Sequence, residues 1–292
     1  MYKRMYQLFD FMYERHAIYI RRHRGDPFPW TEDEILMKYK FTNVFRELDT
    51  GTIWLRKNVI EPYADHPELF FNIAMYRLYN FIDTAEEIGY LEYYHTDAIM
   101  EKMYARKERG EKVFTGAHMI TGTLGGDKIT QVFGYCLPSL WNNRRLLEPE
   151  VGEPLQRAYD RLCGNSPGFG PFISYEVVTD LRHTRYLEMS DDIYTWANPG
   201  PGAKRGICRL LGLQVYTAKG GVPSLETRHK YPSSEQCIKY IGILQREIEQ
   251  YAPKWFPKVE MRDIEHSLCE WDKYERARLG QGKPRSVYHP PQ

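Results

Sequence analysis

Cysteine is sparse in this sequence, and none of it is spaced to hold a metal. Cys136, Cys163, Cys208, Cys237 and Cys269 lie scattered along 292 residues with no CxxC pair. Neither a zinc ribbon nor an iron–sulfur loop is suggested, and reduced thiols in a cytosolic protein are expected. No metal site and no cofactor is expected. Long apolar runs are missing as well, so no bilayer-spanning segment is read and no membrane partner is expected. The opening Met1–Tyr6 is polar and aromatic and lacks the apolar stretch of a signal peptide. An excess of one charge is also absent. The net charge is +1, which excludes a polycation that holds nucleic acid by bulk charge alone. Gly122 to Lys128 lacks the GxxxxGK[ST] pattern, so a P-loop kinase is not read here.

What is abundant is apolar and aromatic. Hydrophobic residues make up 42% of the chain, enough for a substantial core, and 23 tyrosines, 13 phenylalanines and 6 tryptophans suit either a core or the stacking of bases. Helical periodicity dominates. Thr31 and Glu34 have capping-box spacing ahead of Leu36, Tyr39, Val44, Phe45 and Leu48, which predicts one helix there. Pro67 opens a stripe from Leu69 to Ala85 that Gly89 ends. Ser233 and Gln236 repeat the capping pattern, and a last helix from about Met261 to Leu279 stops at Gly280. Strand signals are confined to residues 113–133, read as a small β-hairpin or a loop. A mainly α fold is expected, as a single domain over 1–279 with two helical lobes. A flexible Gly/Pro-rich tail is expected over 280–292.

Residues 153–212 carry the functional reading. A helix through Leu155, Ala158 and Leu162 runs into Gly164-Asn165-Ser166-Pro167-Gly168-Phe169-Gly170, and a second helix follows through Ile173, Val177 and Leu181. This is the layout of a helix-hairpin-helix, placed within 153–183. Its glycines permit a tight turn and close backbone approach, and the amides opening the second helix can receive a phosphate. Gly168, Phe169 and Gly170 are the expected DNA-phosphate contacts. A glycine-containing turn between packed helices would read the same way. Two features favour DNA. Asp191-Asp192 follow at the spacing where helix-hairpin-helix DNA glycosylases carry their catalytic aspartate. A second glycine-rich helix start, Gly200-Pro201-Gly202-Ala203-Lys204-Arg205, offers another anion site.

The segment Gly170–Leu181, the acids after it, Gly200–Ala203, Phe41–Asp49, Thr115-Gly116-Ala117 and Asp263–Tyr274 together resemble the alpha-glutamyl/putrescinyl thymine pyrophosphorylase family of phage DNA hypermodification. The resemblance implies a helix-hairpin-helix, DNA-glycosylase-like fold. It also implies a transferase that replaces the pyrophosphate on phosphorylated 5-hydroxymethyluracil in double-stranded DNA with a free amino acid or amine. A separate DNA base kinase would act upstream, in the host cell cytoplasm if the gene is a bacteriophage's. Phe172 stands where lyase-type glycosylases carry a lysine, which argues against a Schiff-base lyase.

For that reaction a flipped base, a clamp on the leaving group and a base for the amine are needed. Asp191, Asp192, Glu47 and Glu270 are the candidate catalytic carboxylates. Gly200, Gly202, Lys204, Arg205 and Arg46 are the candidate pyrophosphate clamp, and Asn43 and Lys273 the candidate pocket. A DNA glycosylase that excises a modified base, or a non-catalytic DNA-binding protein, would use the same hairpin.

Overall fold

The computed structural model describes residues 2–115, 126–213, 215–217, 223–224, 231–284 and 286–289. Among these residues the chain is mainly helical. In order the helices are α1 Tyr2–Arg24, α2 Glu34–Lys38, α3 Thr50–Leu55, α4 Leu69–Tyr79, α5 Ile82–Ile88, α6 Thr96–Glu108, α7 Lys128–Gln131, α8 Leu137–Leu147, α9 Leu155–Leu162, α10 Pro171–Leu181, α11 Pro201–Leu211, α12 Ser234–Tyr251 and α13 Met261–Arg278. Wider π turns extend α3 over Arg56–Ile60 and join α7 to α8 over Val132–Cys136. The strand content among the described residues is one short antiparallel pair, Tyr216–Thr217 with Pro223–Ser224, away from the 113–133 segment where a hairpin or loop was expected. In that segment the chain is helical from Lys128 onward, and Gly116 to Gly125, with the Thr115-Gly116-Ala117 motif, falls largely outside the described residues.

The chain divides into two compact units, Thr50–Asp192 and Met1–Asp49 with Ile193–Gln292. The first is built on α4 and α10. All of α4 and everything from Ile173 to Leu181 in α10 is buried, as a helix apolar on every side must be. The expected single helix over Leu69–Ala85 is two. Asn80 takes a left-handed conformation (φ 48°), accepts a hydrogen bond from Arg77 Nη1 at 3.1 Å, and turns the chain before α5 begins.

The second unit is built on α13, which packs against α1, α2, α11 and α12. The pairing of α11 with α13 is backbone-close. A Cβ at Gly206 would sit 2.5 Å from the Leu268 carbonyl oxygen, and one at Gly202 would overlap Cys269 Sγ. Only glycine allows that approach. Ser233 and Gln236 form the expected capping box on α12, and α13 ends at Arg278, with Gly280 at φ +66° beyond it. At α2 the cap is Asp33, whose Oδ1 accepts from the amides of Ile35 and Leu36 at 2.9 Å, while Thr31 Oγ1 binds the Asp33 amide. Part of the tail expected to be loose is tied down, since Ser286 and Tyr288 exchange backbone hydrogen bonds with Lys40 and Lys38.

Candidate nucleic-acid interface

The hairpin between α9 and α10 forms as its glycines and proline require. Gly164 and Gly168 have φ +77° and +85°, and a Cβ on Gly168 would press at 3.1 Å on both Cys136 Sγ and Leu78 Cδ2. Phe169 is 1% exposed. Its amide donates to the Ser166 carbonyl at 3.1 Å, and its carbonyl accepts from the Gly164 amide at 2.8 Å. It is the plug of the turn, with its amide already committed, so it is not the phosphate contact expected of it. Gly170, Pro171 and Phe172 are exposed at the tip, Phe172 by 57%, and nothing lies within 4 Å of a Cβ at Gly170. The turn thus buries one residue and offers the next three to solvent at the start of a helix.

Asp191 is exposed in a turn at the end of this unit. Asp192 has a structural role, since its Oδ1 accepts from the Leu155 amide at 2.7 Å and its Oδ2 from the Gln156 amide at 2.9 Å. It caps α9 from 37 residues away. A cluster that the sequence reading missed lies behind the hairpin. Arg77 of α4, 3% exposed, makes a bidentate pair with Asp180 and lies 3.5 Å from Glu176. The signal was an i, i+4 acidic pair in an otherwise apolar helix.

In the other unit, the expected helix over Leu36–Leu48 gives way to an extended loop and a single 3-10 turn, Arg46–Leu48. Asn43 diverts the chain. Its amide and Nδ2 both donate to Asp49 Oδ1 at 3.0 Å, Nδ2 reaches the Leu48 carbonyl at 2.9 Å, and Oδ1 accepts from Arg15 at 2.8 Å. Such local side-chain bonds compete with helix. Arg46 pairs with Asp49 at 3.2 Å and Glu47 with Arg262 at 3.2 Å. Glu270 accepts from the Thr42 amide at 2.9 Å and from Lys273 Nζ at 2.6 Å. Burial pushes its carboxyl up, but Lys273, His266 and the Thr42 amide outweigh that and hold it below the usual range. Thr42 also meets His266 through its hydroxyl. Asn43, Arg46, Glu47, Glu270 and Lys273 therefore belong to one packed assembly of loop and α13, each already engaged within it.

The glycine-rich start of α11 is also filled from within. The Gly200 amide donates to Glu265 Oε1 at 3.1 Å, and Glu265 is buried. A carboxylate of α13 already stands where a pyrophosphate was expected, and Gly202 is a packing glycine. Lys204 reaches Ser234 Oγ at 3.2 Å, and Arg205 turns inward to Asp272 at 2.8 Å. Among the described residues no group of His, Cys, Asp and Glu is placed to hold a metal, and no helix is long and apolar enough to cross a membrane.

The sequence model of the family described as "5-hmdU DNA kinase, helical domain" matches residues 3–283. The chain belongs to that family. A curated relative named 5-hmdU DNA kinase, from Bacillus phage SP10, is 28% identical over 295 residues. The match takes in 89% of this chain and 43% of the relative, so the chain spans less than half of that protein's length. No solved structure matches.

This finding corrects the resemblance drawn from short motifs. The family is not the alpha-glutamyl/putrescinyl thymine pyrophosphorylases but one named for a DNA kinase, and the reading of an amino acid:DNA transferase releasing pyrophosphate falls with it. The kinase expected as a separate upstream chain is the activity by which the relative itself is named. With the amine-transfer reaction gone, Asp191, Asp192, Glu47 and Glu270 lose the amine they were to deprotonate; Asp192 caps α9, and Glu47 and Glu270 hold loop and α13 contacts.

Proposed function

We propose that this helical domain engages DNA carrying 5-hydroxymethyl-2′-deoxyuridine and presents the hydroxymethyl group of that base for phosphorylation. The family match over residues 3–283 carries the reading. The hairpin supports it with a surface suited to a DNA backbone. Gly170 to Phe172 are exposed at the start of a helix, whose positive dipole end suits a phosphate contact that reads no sequence. Phe172 adds an exposed ring beside that contact, of the kind that wedges against an unstacked base. A match to a helical domain that covers 43% of a relative named for a kinase supports a division of labour. The helical domain holds the modified DNA, and a nucleotide-binding module supplies the phosphoryl donor.

The test uses Gly170→Glu. The site is open and its φ of −77° suits any residue, so the variant folds as the wild type does. A carboxylate at the tip repels phosphate, and duplex affinity by fluorescence anisotropy should fall about tenfold at low salt. Unchanged affinity in a folded Gly170→Glu protein would remove the hairpin from the interface. Failure of the wild type to bind hydroxymethyluracil-containing duplex at all would remove the DNA reading.

A further inference from the structure

Among the described residues, one charge cluster in the α11–α13 unit does not balance. Asp272 has no exposed side-chain surface, and three guanidiniums converge on it: Arg205 Nε at 2.8 Å, Arg209 Nε at 2.7 Å and Arg276 Nε at 3.5 Å. Their side chains are 15%, 8% and 18% exposed. Arg209 has one further partner, the neutral Oε1 of Gln281 at 2.9 Å. Cys269 beside them adds no charge, since burial pushes its thiol up to about 12. Three cations against one carboxylate leave an excess of two positive charges in a largely dehydrated setting, and charges so placed demand counter-charge. Arg276 Nε is closed to solvent and makes no hydrogen bond. Burial draws the Arg276 guanidinium down and, although Asp272 opposes this, Arg205 and Arg209 add to it. Arg205 and Arg276 are only partly buried, so the cluster has access to solvent.

We propose that Arg205, Arg209 and Arg276 form a phosphate-binding site, with Asp272 as the buried bracket that aligns the three guanidiniums. Planar guanidiniums match phosphate oxygens in bidentate pairs, and fixing them beforehand lowers the entropy lost on binding. The excess of two charges suits a dianionic terminal phosphate, free or on a nucleotide, better than the singly charged phosphodiester of a DNA backbone. This assignment stands on the charge balance of one cluster and is independent of the hairpin reading.

Heat denaturation with increasing inorganic phosphate, against chloride at matched ionic strength, tests it. The wild type should gain a saturable, phosphate-specific rise in Tm. Arg276→Gln should raise the half-saturating phosphate concentration about tenfold, measured against that variant's own Tm in chloride. Arg205→Gln is the second variant, and its weakening should match. No saturable rise in the wild type, or Arg276→Gln and Arg205→Gln both saturating as the wild type does, would overturn the site. Titrations with ATP and with a fluorescent duplex separate the sources. Loss of ATP and phosphate binding with intact duplex affinity supports the dianion assignment. Loss of duplex affinity, with phosphate competing the duplex away, keeps the site but overturns the dianion in favour of the DNA backbone.

Discussion

One buried cluster in each unit sets its charges in the opposite proportion. In the α4–α10 unit one guanidinium, Arg77, serves two carboxylates, Glu176 and Asp180, and also donates to Thr52 Oγ1 and Asn80 Oδ1. All three charged residues are 4% exposed or less. In the α11–α13 unit one carboxylate, Asp272, serves three guanidiniums, two of which reach the surface. A cluster that is closed and locally satisfied holds helices together. A cluster that is open and short of counter-charge is built to receive a ligand.

The contrast can be broken most forcefully at Arg77. Arg77→Met should strand two buried carboxylates and cost about 3–5 kcal/mol, read by urea denaturation. A loss under about 1 kcal/mol would mean that the closed cluster is not structural. A smaller effect comes from Asp263, 2% exposed, whose carboxyl is raised to about 7 by burial and by Glu47 and Glu260, against the pull of Arg262. A carboxyl with a raised folded pKa binds more protons folded than unfolded between about pH 4 and 7. Stability should therefore fall as pH rises through that window, and Asp263→Asn should flatten the fall and gain roughly 2 kcal/mol at pH 8. A wild-type stability that is level from pH 4 to 8 would refute this. The smallest effect belongs to Asp192. Asp192→Ala should cost about 1 kcal/mol through loss of the α9 cap. A variant as stable as the wild type would show that the cap contributes nothing.

What was legible in the sequence was local. The Ser233 cap, the end of α13 and the turn at Gly168 follow from side chains that act within three or four residues of themselves, so spacing alone reveals them. The break at Asn80 and the unwinding around Asn43 depend on which of several local bonds a side chain chooses, and apolar periodicity runs straight through both. The site residues were less legible still, because their partners are distant in sequence. Glu265 reaches Gly200 across 65 residues, and Asp192 reaches Leu155 across 37. A glycine-rich helix start reads as an anion site whether or not a carboxylate of the same chain already fills it. The family was misread for a related reason. A motif suited to a DNA backbone says nothing of which bond is made afterwards, so it does not tell a kinase from an amine transferase.

The contact of Gly206 with the Leu268 carbonyl has a mechanical corollary. Two helices whose main chains touch have no soft side-chain layer to absorb a displacement, so α11 and α13 translate as one rod. Asp272 and Glu270 ride on that rod, and through Glu270 so does the Thr42 loop. Arg276 and Glu270, which holds the Thr42 amide, lie six residues and about 9 Å apart along that axis.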